Sequence, residues 1–275
     1  MEVWHAVVLG IVEGITEFLP VSSTGHLTIV EKLLGLPIDD PAVTAYTAVI
    51  QVGAIAAVFV YFWRDITRLA GAWFRGLVSG SARAEHDYRF AWYVIAGSVP
   101  IGIVGFLAQD LIRGPLRSLW WVAGALILWS GVMVLAERLA TQARGEKELT
   151  LRDSLLIGVA QCLALIPGVS RSGATISVGL VRGYDRVTAT RLSFFLAIPA
   201  LTAAGVYELP AALSESIGVA NLVIGTVVSF VVAYASIAWL LRFVAGHSLL
   251  TFVWYRLALG GLVIGLLATG TITAT

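Results

Sequence analysis

The sequence predicts an all-α polytopic membrane protein, an inverted-topology repeat of six spanning helices plus two re-entrant helix pairs. Three observations predict it. Of 275 residues, 58% are hydrophobic and 13% charged, where soluble domains carry about 25% charged residues. Six uncharged stretches are each long enough to cross a bilayer. One motif also occurs twice: Gly10–Ile29 reads GIVEGITEFLPVSSTGHLTI and Gly158–Ser177 reads GVAQCLALIPGVSRSGATIS. A shift of 148 positions aligns Gly10 with Gly158, Val21 with Val169, Ser22 with Ser170 and Gly25 with Gly173.

The elements follow in order. Val3–Leu19 is apolar but interrupted by two glutamates, and it ends at Pro20. A Ser/Thr/Gly cluster and a second short apolar run come next. Helix, break and short helix predict a re-entrant pair, because irregular backbone at membrane depth needs protein or a wet cavity around it. Spans are predicted at Ala42–Trp63, Phe90–Ala108 and Ser118–Ala136. The second half repeats the plan. Leu155–Ile166 ends at Pro167-Gly168, and spans follow at Leu192–Tyr207, Ser216–Leu241 and Leu257–Thr275. The six spans run roughly 16 to 26 residues each. The first repeat is residues 1–140, the polar linker TQARGEKELT is 141–150, and the second repeat is 151–275. Arg64–Arg89 reads as a loop whose charges form a solvated face.

Three crossings per half invert the second repeat. Arg64, Arg68, Arg75, Arg83, Arg89, Arg138, Arg144, Lys147, Arg152, Arg182, Arg186, Arg191 and Arg242 crowd one face; Lys32, Arg113 and Arg117 fall on the other. Positive charge concentrates on the cytoplasmic side. A plasma-membrane protein with both termini and the first motif outside is therefore expected, the two motif tips meeting near mid-membrane. The N-terminus lacks a basic n-region, so no cleaved signal peptide is expected. The net charge of +1 argues against a nucleic-acid partner. The single cysteine, Cys162, allows no internal disulfide. Homo-oligomerisation is left open.

The two motif copies differ where chemistry would sit. The first has Glu13, Glu17 and His26 where the second has Gln161, Leu165 and Ala174; the second has Arg171 where the first has Ser23. One composite site at the repeat interface is the simplest account. Glu13 and Glu17 share a helical face. Each charged carboxylate at a bilayer centre costs about 2.5–3.5 kcal/mol, and a divalent cation or a shared proton would relieve the pair. After Pro20, hydroxyl residues begin a half-helix whose free N–H groups suit an anion. There Ser22 and Thr24 are either substrate contacts or plain caps. His26 stands near Ser23 in sequence, as its proton partner or as an acid or base itself. At the other tip Arg171 offers a guanidinium fork for phosphate oxygens, with Ser170, Ser172 and Thr175 as further donors. Its alternative is a plain ion pair with Glu13 or Glu17. Gly10/Gly14 and Gly261/Gly265 have the spacing of packed membrane helices. Phosphoryl transfer needs little beyond such positioning and charge neutralisation, and an embedded site suits a substrate with a lipid tail.

Glu13–His26 (EGITEFLPVSSTGH) and Pro167–Thr175 (PGVSRSGAT) closely resemble the undecaprenyl pyrophosphate phosphatases, also called bacitracin-resistance proteins. The likeness runs over essentially the whole chain. It implies removal of the terminal phosphate from a C55 polyprenyl diphosphate, recycling the carrier lipid for cell-wall synthesis. It implies a divalent cation, Mg or Ca, and an active site open to the outer face. The family's acidic pair falls on Glu13 and Glu17, its serine on Ser23, its histidine on His26 and its arginine on Arg171. The glutamates would hold the cation or supply a base, Ser23 or His26 (or water) would attack, and Arg171 would bind the diphosphate. The rival expectation is a transporter of polyprenyl phosphate, since inverted repeats with broken helices also build carriers.

Overall fold

Breaks at Pro20 and at Pro167-Gly168 divide each half into two short helices followed by long ones. A computed structural model describes residues 1–38, 40–108, 111–112, 115–214 and 218–274. Eleven α-helices succeed one another in them: α1 (Val3–Thr16), α2 (Ser23–Leu33), α3 (Pro41–Tyr61), α4 (Trp63–Val78), α5 (His86–Leu107), α6 (Leu119–Leu139), α7 (Leu151–Leu163), α8 (Arg171–Val181), α9 (Arg186–Ser214), α10 (Val219–Gly246) and α11 (Leu250–Ala268). Six of them, α3, α5, α6, α9, α10 and α11, are long and apolar enough to cross a membrane. Arg113, counted above in the charge balance, lies outside the described residues, as does Ser216 at the start of one expected span.

The short pairs match in position. Shifting α2 by 148 positions reproduces both ends of α8, and α1 and α7 begin at the same shift. Both second helices also start alike. Their N-caps, Ser22 and Ser170, each have φ of 78°, a left-handed conformation that costs a non-glycine residue of order 1–3 kcal/mol. The cap hydroxyls offset part of this by accepting from Gly25 N at 3.3 Å and Gly173 N at 3.1 Å. The first helices pack through matching glycines. A Cβ on Gly10 would come 2.7 Å from the Gly225 carbonyl oxygen, and one on Gly158 would come 2.0 Å from that of Gly97. Only glycine lets α1 lie on α10, and α7 on α5, this closely. Gly261 and Gly265 face open space, so that pair is not a packing motif within the chain.

Two expectations need correction. Arg64–Arg89 is not a loop: it holds α4, a 3-10 turn at Ser81–Ala84 and the first turn of α5. On α4, Leu69, Ala72 and Gly76 are buried, while Trp63, Phe74, Leu77 and Val78 are exposed beside Arg64, Arg68 and Arg75. A helix with one face on protein and an apolar stripe edged by arginines has the pattern of an interfacial helix. Its charges are partly paired, Arg68 with Asp65 and Asp87, Arg75 with Glu85. The last span starts seven residues before the expected Leu257 and takes in Arg256. The charge reads as a boundary in sequence, but the fold satisfies it internally.

Polar clusters hold the two ends of the bundle. Buried Asp153, in the first turn of α7, accepts from Arg144 Nη2 (2.7 Å), Arg182 Nε (2.6 Å), Tyr184 Oη (2.8 Å) and Thr150 Oγ1 (2.7 Å). Burial alone would raise this carboxyl; the four donors outweigh it and hold the group well below the ordinary carboxylate range. Arg182 follows α8, so the cluster sets the end of α8 beside the start of α7. At the other end, Asn221 Nδ2 donates to the Met1 carbonyl at 2.9 Å, and Leu119 N to that of Ala274 at 2.9 Å. Between them, the main core cluster includes Phe18, Val21, Ile176, Leu180 and Phe194, which places both motifs inside the protein.

Candidate active site

The last turns of α1 carry Glu13 and Glu17, 1% and 5% exposed. The chain then reverses through Phe18–Val21, and α2 opens at Ser23. The second motif reverses through Pro167–Val169, and α8 opens at Arg171. The two tips bind each other. Gly168 N donates to Ser22 Oγ at 3.0 Å, and Ser172 Oγ to the Leu19 carbonyl at 2.9 Å. Two helix N-termini, with free N–H groups and positive dipole ends, are thus brought to one place.

Arg256 fixes this junction from behind. It is fully buried on α11. Nη1 donates to the Pro20 carbonyl (3.2 Å), Nη2 to the carbonyls of Gly168 (2.8 Å) and Leu126 (3.3 Å), and Nε to Ser130 Oγ (3.3 Å). One guanidinium therefore bonds both tips and α6. The sequence reading missed this residue. The available signal was an arginine amid an apolar run, which inside a membrane is a functional candidate by default.

At the site itself, Ser23 Oγ donates to Glu17 Oε2 at 2.5 Å, and Arg171 Nη2 lies 3.1 Å from Glu17 Oε1. The Arg171 side chain is 9% exposed, yet Nε, Nη1 and Nη2 all lack a well-aligned hydrogen bond. The contact with Glu17 is charge proximity at an unfavourable angle. Glu13 Oε1 is also buried without a partner. Native proteins rarely bury polar atoms unsatisfied, and an anion meeting the guanidinium would remove the deficit. The expected ion pair of Arg171 is present, through Glu17, and it leaves the fork free.

The remaining residues divide. Ser22, Thr24 and Ser170 line a cavity of about 510 Å³ together with Glu13, Glu17, Ser23 and Arg171. Ser172 and Thr175 do not. Ser172 is turned to Leu19, and Thr175 donates to Ser193 Oγ at 2.7 Å, so both build the tip. His26 is not paired with Ser23. Its Nδ1 lies 2.7 Å from the Ser22 carbonyl oxygen, one helical turn back, and its Nε2 lies 2.7 Å from Tyr255 Oη. The ring stacks on Tyr255 at 5.5 Å. Both nitrogens are engaged elsewhere, and Glu17 is the group within reach of the Ser23 proton.

Comparison with known proteins gives the chain a family. The family model described as Bacitracin resistance protein BacA matches residues 6–262. Undecaprenyl-diphosphatase 1 of Streptomyces avermitilis is 59% identical over 274 residues, covering 99% of each chain. Undecaprenyl-diphosphatase 3 of Frankia casuarinae is 58% identical over 278 residues, covering 100% of each. Undecaprenyl-diphosphatase of Mycobacterium sp. strain KMS is 50% identical over 275 residues, covering 98% of each. Matched from end to end in this way, and carrying both motifs at one buried junction, the chain belongs to the bacitracin resistance protein BacA family.

Proposed function

We propose that the chain is a membrane undecaprenyl-diphosphatase, which hydrolyses the terminal phosphate of a polyprenyl diphosphate and returns the carrier lipid to cell-wall synthesis. The observation that carries this reading is the unfilled Arg171 guanidinium beside the Ser23–Glu17 hydrogen bond. Arg171 and the α2 and α8 N-termini bind the diphosphate and neutralise charge on the equatorial oxygens. Ser23 Oγ attacks the terminal phosphorus as Glu17 takes its proton. The bond from phosphorus to the bridging oxygen breaks, and polyprenyl phosphate leaves with the electron pair and takes the proton from Glu17. The freed carboxylate then takes a proton from water as the water attacks the phosphoserine; the bond from phosphorus to Ser23 Oγ breaks, Oγ recovers the proton from Glu17, and inorganic phosphate departs. His26, held between Tyr255 and Ser22, positions the peptide on which Ser23 rides.

A divalent cation, Mg or Ca, fits the donor set. Glu13 and Glu17 are hard oxygen ligands, and Glu13 Oε1 has no other partner. Among the described residues no three acids, histidines or cysteines are grouped to hold a metal alone; Glu13 and Glu17 would hold the ion together with oxygens supplied by the substrate. When bound, the ion offsets the charge of the acids and of the leaving group.

The lipid tail has an apolar way out. Ala203 and Tyr207 line both the site cavity and a groove formed with Phe59, Ile198, Pro199 and Val206. The short helix pairs are read as re-entrant and the repeats (1–140 and 151–275, joined by 141–150) as inverted. The Arg182–Asp153 bond, between the end of α8 and the start of α7, supports the return of the second pair to the side it started from. The arginine-rich end is cytoplasmic, so the termini and the cavity mouth lie outside.

The test is phosphate release from a C55 diphosphate by the purified chain in detergent, with and without chelator. Release without a sealed membrane separates hydrolysis from transport of polyprenyl phosphate. Transport without release would overturn the reading.

A further inference from the structure

Along the cavity from Arg171, a second cation faces the same space. Arg117 lines it together with Thr24, Thr28 and Glu31 of α2 and Thr44 and Gln51 of α3. Its side chain is 13% exposed. Nη1 donates to Thr44 Oγ1 at 2.5 Å, and Nη2 lies 3.3 Å from Glu31 Oε2. The pairing is incomplete on both sides. The Glu31 carboxylate is fully buried, yet its Oε1 has no partner, and neither has Arg117 Nε. Nε and Nη2 form one edge of the guanidinium fork, the edge that binds oxyanions through two parallel bonds. Glu31 occupies only half of it.

Ser23 and Glu31 stand eight residues apart on α2, about 12 Å along the axis. Arg171 meets the start of α2 through Glu17 and its bond to Ser23, and Arg117 meets the end of α2 through Glu31, so the two cations serve different ends of that helix. Between them α2 and α3 line the cavity with Thr24, Thr28, Thr47 and Gln51, beside Leu27 and Ala48, while α5 and α9 contribute apolar groups, Ile101, Phe106 and Leu201. The cavity thus has a polar track and an apolar one, and Arg117 stands at the far end of the polar track.

We propose that Arg117, with Thr44 and Glu31, forms a second phosphate-binding station, separate from the reacting centre. A phosphate oxyanion takes the free Nε and displaces Glu31 from Nη2. Glu31 restores the neutral pair once the anion has gone, which keeps the station from holding its ligand tightly. The ligand is either the arriving diphosphate head or the departing inorganic phosphate. The proposal rests on the diphosphatase reading above.

The experiment is steady-state hydrolysis of a polyprenyl diphosphate by the full chain, wild type against Arg117→Gln, Arg117→Lys and Glu31→Gln, with inorganic phosphate as inhibitor. Loss of a charge-assisted contact predicts that Arg117→Gln raises the inhibition constant for phosphate about tenfold while kcat stays within about twofold. Glu31→Gln, which frees the fork, lowers that constant. Arg117→Lys restores part of the effect. A raised KM in Arg117→Gln assigns the station to the arriving head as well; an unchanged KM assigns it to the departing phosphate alone. Unchanged inhibition and unchanged KM in both Arg117→Gln and Glu31→Gln would make the pair purely structural and end the proposal. If Arg117→Gln does not fold, Glu31→Gln and Arg117→Lys decide the matter alone. Should the wild type release no phosphate, the diphosphatase reading fails instead. Thermal protection of wild type, but not of Arg117→Gln, by inorganic phosphate then still tests the station.

Discussion

Ser23 stands at the first turn of a helix, with a carboxylate on its hydroxyl and a guanidinium beyond it. In the proposed reaction each partner answers a different need of phosphoryl transfer: a nucleophile, a proton acceptor and a counter-charge. Ser23→Ala, Glu17→Gln and Arg171→Ala should each lower kcat/KM on the order of a thousandfold or more, with folding retained by size-exclusion profile and melting temperature. Near-native rates in all three would remove the site. His26 differs, because it reaches the chemistry through the Ser22 peptide. Tyr255→Phe should cost only about a single hydrogen bond, roughly 1 kcal/mol, seen as a modest drop in kcat. Most of this constellation was legible in sequence, because Glu13, Glu17 and Arg171 are charges in apolar runs. The Ser23–His26 pairing was misread because spacing along a helix does not say which way a ring turns. Here the Ser22 carbonyl one turn back captures Nδ1. Arg256 was misplaced for a related reason: a charge near the start of an apolar run looks like its border until its acceptors are seen. Replacing it with Met should strand the Pro20, Gly168 and Leu126 carbonyls, at about 1–3 kcal/mol each. The measurement is melting temperature together with turnover. Lysine in its place should recover only part, since one ammonium cannot bond both tips and α6 at once.

Among the helices, the paired breaks were the strongest signal. A proline followed by hydroxyl residues ends one helix and caps the next, and the same arrangement recurs 148 positions later. The left-handed serines could not be foreseen, since nothing in composition marks a non-glycine residue for that conformation. α4 was hidden for another reason: its arginines mask an apolar periodicity that is divided between a buried face and an exposed stripe. The apolar groove shared by α3 and α9 carries its own expectation. Ala203→Trp, at the junction of groove and cavity, should raise KM for a C55 diphosphate about tenfold by displacing buried tail surface, and should leave a C15 diphosphate nearly unaffected. Equal penalties for both chain lengths would place the tail elsewhere.

For the molecule as a whole, the end of the bundle where α7 begins is held by carboxylates buried within arginine clusters, Asp153 and Glu137 above all. The Asp153 carboxyl is lowered in the folded chain. Its contribution is therefore complete above the unfolded value of about 4 and is lost as pH falls below it. Asp153→Asn should reduce the melting temperature at neutral pH and flatten its fall in acid, as followed by thermal scans from pH 7 to 3. The duplicated plan and the count of spans could be read from the chain. What could not be read is how completely each half depends on the other for its polar partners.

That dependence has a consequence for biogenesis. The Pro20 carbonyl, near the beginning of the chain, receives its guanidinium donor from a residue 236 positions later. Chains are made from the N-terminus onward, so the Pro20 carbonyl waits without this donor until almost the last helix is in place. The junction of the two tips is then completed late, and a ribosome that stops short of α11 leaves a chain in which neither Pro20 nor Gly168 has its guanidinium partner.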